Sequence, residues 1–313
     1  MSEAIFFYHG NCYDGAAAAG VFRDLYRRQT MSYFYPLSHT SNEDISIRTE
    51  IFDKINSLDI KNSYIYFLDF CPKKEILIEV ASKCKKLVVL DHHKTAEANL
   101  KNVVIDNAII KFDMNKSGAM MAFDYVKSEN KDLGIILSYY YCYGLICEYI
   151  EDADLYRWNL ESSRIINEAI RLYEPDINLL SSIAYNEYNI IDSGHDPFRS
   201  LFEKGVISEK RKRSLVENVL SSTKRKVKFD GHILDICNCP PALISDVCNV
   251  LYQDNKFGIA YYESKDGIHV SLRSSDDGID VSEIAEFYGG GGHRNAAAFV
   301  VSREKFYDLV KAH

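Results

Sequence analysis

Apolar residues in the first hundred positions gather into short blocks, and the stretches between the blocks repeat with a helical period. Ala4-Ile5-Phe6-Phe7-Tyr8, residues 32–37, Tyr64-Ile65-Tyr66-Phe67-Leu68 and Leu87-Val88-Val89-Leu90 are such blocks. Near-continuous apolar runs suit strands covered on both faces, the habit of parallel sheets. Residues 16–28, 45–58 and 73–85 predict helices; in the first, Val21, Phe22, Leu25 and Tyr26 form one apolar face. Strand and helix therefore alternate, and Val103-Val104-Ile105 is expected to end the parallel sheet. From residue 117 to about 171 the pattern is mostly helical. Ser117-Gly118-Ala119 opens one helix, and residues 133–150 form a strongly apolar, tyrosine-rich one.

Residues 203–228 carry nine Lys or Arg against three Glu, with Leu215, Val219 and Leu220 as an apolar face, and predict a basic helix joining two domains. Beyond Gly231 the elements shorten: strand 233–236, helix 243–252, strands 257–262 and 268–273, and helix 281–287. The expected fold is a two-domain α/β chain. A mainly parallel sheet flanked by helices occupies 1–195, a basic helical linker 196–230, and a smaller C-terminal α/β domain 231–313.

Composition narrows the classes. The 313 residues, 47% hydrophobic and 26% charged, suit a soluble globular protein with room for two cores. No apolar run reaches the roughly 20 residues of a membrane span, and MSEAIFFYHG lacks a basic leader pattern, so a cytoplasmic location is expected. The net charge of −8 disfavours a long duplex nucleic acid as partner. Eight cysteines without a paired CxxC pattern read as reduced, mostly buried thiols.

The chemistry collects where the blocks end. The first is followed by His9-Gly10-Asn11-Cys12-Tyr13-Asp14-Gly15, the third by Asp69, the fourth by Asp91-His92-His93-Lys94. Carboxylates and imidazoles at the carboxyl ends of parallel strands are donors for a divalent metal, placed where open α/β sheets hold ligands. A single Asp there is equally a helix cap; three strand ends with potential ligands point to a metal centre. Glu151-Asp152-Ala153-Asp154, emerging from the apolar helix, offers further carboxylates. In the C-terminal part, Gly289-Gly290-Gly291-Gly292-His293-Arg294 lets backbone N–H groups approach an anion, with Arg273 a further phosphate contact. The run is neither GxGxxG nor a P-loop.

These segments together resemble the DHH phosphoesterase superfamily with its DHH-associated C-terminal domain, and the opening His-Gly-Asn-Cys-x-Asp-Gly is closest to its oligoribonuclease-like members. The resemblance implies two divalent ions, Mn²⁺ ahead of Mg²⁺, bridged by Asp69. His9 would hold one ion, and Asp14, His92 and Asp152 the other. His93 would face the scissile phosphate and Asp91 would orient the histidines. Arg273, Gly290, Gly291, Gly292, His293 and Arg294 would grip the substrate from the second domain, with cleavage in an interdomain cleft. Asp154 or Asp91 would accept a proton.

One position departs from the pattern. Cys12 stands where many members have a metal-binding Asp; either Cys12 ligates, Asn11 substitutes, or one ion is held more weakly. The expected activity is hydrolysis of phosphodiester bonds in short oligonucleotides or small nucleotides. A phosphatase or exopolyphosphatase using the same centre, and a nucleotide-binding sensor with a weakened centre, are the rival readings. A homodimer is compatible with either.

Overall fold

The computed structural model of the chain describes residues 3–26, 31–37, 43–58, 60–129, 137–191, 198–275 and 277–312. The first compact unit, residues 1–207, is built on β1 (Glu3–His9), α1 (Tyr13–Leu25), β2 (Met31–Leu37), α2 (Glu43–Ile55), β3 (Tyr64–Leu68), α3 (Lys74–Lys83), β4 (Lys86–Asp91), α4 (Lys94–Asn99) and β5 (Ala108–Phe112). Helices α5 (Gly118–Glu129), α6 (Leu137–Asp154), α7 (Ser163–Ile170) and α8 (Leu179–Ile191) follow. All five strands are parallel, in the order β2-β1-β3-β4-β5. Alternation along each strand decides the two cores. Phe6, Tyr8, Tyr66, Leu68, Val88 and Leu90 pack with residues of α1 and α5–α8, while Ile5, Phe7, Ile65, Phe67, Leu87 and Val89 pack with residues of α2 and α3.

The strand order reverses between β1 and β3, the point at which such sheets open a crevice at their carboxyl ends. His9 ends β1 and Asp69 directly follows β3, so the fold sets them on the two sides of that point.

The division into units falls inside the helix α9 (Arg199–Thr223), and the second unit is residues 208–313. Its strands are β6 (Arg225–Phe229), β7 (His232–Asn238), β8 (Gly258–Ser264), β9 (Gly267–Arg273), β10 (Gly291–His293), β11 (Ala296–Val301) and β12 (Lys311–Ala312). They make one mixed sheet in the order β10-β11-β9-β8-β7-β6-β12. The helices of this unit are α10 (Ile244–Asp254), α11 (Val281–Phe287) and α12 (Arg303–Leu309). Among the described residues no helix is long and apolar enough to cross a membrane, and all eight cysteines are free.

Three sequence expectations are corrected. Residues 103–105 are not a strand; Val104 is exposed, and the sheet ends on β5, three residues later, with Asn107 anchored by donating to the carbonyls of Ala81 and Cys84. The basic segment is not one helix to residue 228. Arg225-Lys226-Val227-Lys228-Phe229 alternates, burying Val227 and Phe229, and this period of two makes it the strand β6. Asp152 and Asp154 lie within α6, not beyond it; residues 133–136 of the expected helix lie outside the described residues.

Candidate metal centre

Asp69 is the hub. It is buried, and its backbone is left-handed at φ 51°, a conformation that Asp tolerates better than bulkier residues. Its Oδ2 lies 3.4 Å from His9 Nδ1, and its Oδ1 lies 3.1 Å from His92 Nε2 without accepting an aligned hydrogen bond. Burial alone would raise its pKa, but His9 and His92 beside it hold the carboxyl at about 2.

Two sets of three donors share this residue. His9, Asp69 and His93 form one and Asp14, Asp69 and His92 the other, each with one donor atom per residue within 4.8 Å of the others. The strand ends supply His9, Asp69 and the Asp91-His92-His93 turn, and the first turn of α1 supplies Asp14.

Asp14 owes its position to a partner more than a hundred residues away. The N–H groups of Gly118 and Ala119, in the first turn of α5, donate to its Oδ2 (2.6 Å) and Oδ1 (2.8 Å). A helix start has N–H groups without intrahelical partners, and α5 has no acid of its own in its first turn. Gly118 also lies against Asp69: a Cβ there would sit 2.4 Å from the Asp69 Cβ. Gly15 serves similarly at the other edge, where a Cβ would sit 2.2 Å from the His9 carbonyl oxygen. Glu151 completes the support by accepting from the Ser117 N–H and pairing with Arg157. Sequence reading treated Ser117-Gly118-Ala119 only as a helix start. The signal for more was that helix's lack of an acid at its N-terminus.

His92 Nε2 also lies 3.6 Å from Asp14 Oδ2 and 3.6 Å from Asp154 Oδ2. Burial disfavours its charged form, but contact with Asp69 and the charges of Asp14, Asp69 and Asp154 lift it to about 9. Burial raises Asp14 well above the usual carboxylate range, and Asp69 and Asp154 add to this. Asp154 is raised by burial and by Asp69. Carboxylates crowded this closely repel one another until a cation enters.

Asp152 is the expected ligand that the structure does not bring to this cluster. Its carboxylate accepts from the N–H groups of Asn159 (2.8 Å) and Leu160 (3.2 Å), which tie down the chain after α6. Burial would raise its pKa, but these N–H groups and the Ser163 hydroxyl hold it below the ordinary value. Two residues further along the helix is little more than half a turn, so Asp154 reaches His92 and Asp152 does not.

Asp91 Oδ1 accepts from the N–H groups of His92 (2.8 Å) and His93 (3.3 Å) and lies 2.6 Å from His93 Nδ1. This contact raises the His93 pKa. Asp91 Oδ2 is buried without a hydrogen-bond partner. Cys12 precedes α1 and belongs to neither donor set. Burial, then the charge of Asp69, pushes its thiol up to about 12.

In the second unit, the glycine run spans the end of α11 and β10. Gly289 takes φ 83° and Gly292 φ 146°; a Cβ on Gly290 would meet the Ala298 carbonyl oxygen at 2.1 Å. A Cβ on Gly291 would meet nothing, so the fold does not require glycine there. Arg294 donates to the Gly278 carbonyl and lies 3.6 Å from Asp280, and Arg273 donates to the Ser245 hydroxyl and to the Leu272 carbonyl. His293 closes β10; its side chain lies outside the described part.

Residues 238–313 match the DHHA1 domain family. An uncharacterized protein of Acanthamoeba polyphaga mimivirus is 29% identical in an alignment of 307 residues that covers 94% of this chain; the chain spans 66% of that relative's length. Among solved structures, an exopolyphosphatase-related protein from Bacteroides fragilis aligns with a TM-score of 0.54 at 16% identity, covering 98% of this chain and 90% of that one. The pGpG-specific phosphodiesterase PggH from Vibrio cholerae aligns with a TM-score of 0.50 at 13% identity, covering 99% and 96%. These likenesses establish a shared fold. The DHHA1 match is confined to the C-terminal unit.

Proposed function

We propose that the chain is a metal-dependent DHH phosphoesterase, and that it hydrolyses phosphodiester bonds of short oligonucleotides or small nucleotides. The observation that carries this reading is the pair of donor sets sharing Asp69 at the sheet's switch point. The residues fit two divalent ions: Asp69 keeps a buried oxygen without an aligned donor, and His92 stands among three carboxylates. His9, Asp69 and His93 would hold one ion, and Asp14, Asp69, His92 and Asp154 the other. Asp154 thus takes the place that the resemblance gave to Asp152. Oxygen and imidazole donors suit Mn²⁺, and with Cys12 outside both sets no soft donor argues for another metal. When bound, a pair of such ions supplies a nucleophilic water at neutral pH and neutralises charge on phosphate oxygens.

The chain's own groups do the rest. Asp91 Oδ1, 2.6 Å from His93 Nδ1, fixes the orientation of the ring that would hold the first ion. Asp154, partly exposed, would complete the second ion's donors from the end of α6. Gly291 and Arg273 of the second unit are the candidates for holding a substrate phosphate. A pGpG-type dinucleotide is the first substrate to try, because the fold relative from Vibrio cholerae is specific for it. The oligoribonuclease-like subtype and a cytoplasmic setting for the free thiols belong to the same reading.

The test is release of mononucleotide from pGpG and from a short oligoribonucleotide with Mn²⁺ present. Asp69→Asn should lower turnover by on the order of a thousandfold or more, since it would lose a ligand of both ions. No product from either substrate with Mn²⁺ or Mg²⁺ would sink the proposal.

A further inference from the structure

Beside the donor sets, and wholly inside the first unit, lies a cavity of about 190 Å³. His93 and Asp91 form its inner side, and Phe70, Pro72 and Ile76 supply apolar wall. Thr95 and Asn99, on α4, add polar groups, and Lys73 is its one lysine. We propose that this cavity binds the nucleobase attached to the phosphate that faces His93. The inference rests on the phosphoesterase reading for the phosphate's position and adds what selects the substrate.

Three observations favour a base over other occupants. The cavity shares His93 with the centre, so a group linked to a phosphate there stands at its mouth. Its walls mix apolar and polar groups, and among the described residues it holds one lysine with Asp91 opposing it, whereas a polyphosphate chain needs several cations. Thr95 and Asn99, exposed on α4, line it and offer polar groups to a base edge. The size also selects. At about 190 Å³ it falls below the ~300 Å³ at which drug-sized pockets begin, so it holds one ring system and not a dinucleotide.

Ala96 lines the cavity and belongs to neither donor set, so Ala96→Leu fills the space without removing a donor. Calorimetric titration with AMP and with ribose 5-phosphate, at saturating Mn²⁺, reads the base's contribution directly. The wild type should bind AMP roughly tenfold or more tightly than ribose 5-phosphate. Ala96→Leu should erase that difference while leaving ribose 5-phosphate and Mn²⁺ binding unchanged. If that variant fails to fold, Asn99→Ala, on an exposed helical position, should reduce the same difference. Equal wild-type affinity for the two ligands, or an AMP advantage that survives in the folded variants, overturns the proposal. These outcomes are independent of turnover: a protein that binds AMP in this way but cleaves no dinucleotide keeps the pocket and loses the phosphoesterase reading.

Discussion

The polar groups of the two units are organised in opposite ways. At the edge of the first unit's sheet, Asp14, Asp69 and Asp154 converge on His92, and Asp69 keeps a buried oxygen without an aligned donor. In the second unit, Arg294 is engaged by Gly278 and Asp280, Arg273 by Ser245, and most of the glycines are explained by backbone and packing. The first arrangement is electrostatically costly until a cation enters. The second is satisfied within its own fold, and among the described glycines leaves Gly291 without a structural reason. The two arrangements therefore leave different signatures: the one in crowded charge, the other in the open space beside Gly291.

The largest expected contrast lies inside the first unit. Asp154→Asn should weaken Mn²⁺ binding by on the order of a hundredfold or more while leaving thermal stability nearly unchanged. Asp152→Ala should do the reverse, costing about 1–3 kcal/mol by stranding the N–H groups of Asn159 and Leu160, with Mn²⁺ affinity kept. Mn²⁺ titration and thermal melts on both variants decide between the two acids, and reversed phenotypes would return Asp152 to the ligand set.

Next comes the glycine run. Gly290→Ala places a Cβ against the Ala298 carbonyl and should lower stability by about 1–3 kcal/mol. Gly291→Ala should leave the melting temperature unchanged and raise KM for a dinucleotide. A Gly291→Ala protein with unaltered KM would remove that residue from the substrate site.

The smallest effect is a proton. His92 in the metal-free protein titrates near pH 9, above the ~6.5 of an unfolded histidine, so its contribution to stability is full below about pH 6.5 and is lost as pH rises through 9. Asp14, also raised, acts in the same direction. Mn²⁺ needs the neutral imidazole, so binding at pH 7–8 should expel about one proton from His92, and none once the pH exceeds about 10. Calorimetry in buffers of different ionisation enthalpy measures this; a heat that ignores the buffer would mean that His92 does not ligate.

The sequence alone determined the parallel α/β framework and most of the donors. Near-continuous apolar blocks force buried strands, and a ligand-type residue after each block then sits at one edge of the sheet. His9, Asp69, His92 and His93 were legible for that reason. Only the tertiary structure decided which acid after the apolar helix reaches them. Asp152 and Asp154 are chemically alike and two residues apart, and helical phase, invisible without the packing of α6, separates the acid beside His92 from the loop anchor. The same holds for Gly118. Its backbone N–H and its missing side chain seat both Asp14 and Asp69, a role created by contact across the fold and carried by no side-chain chemistry that a sequence displays.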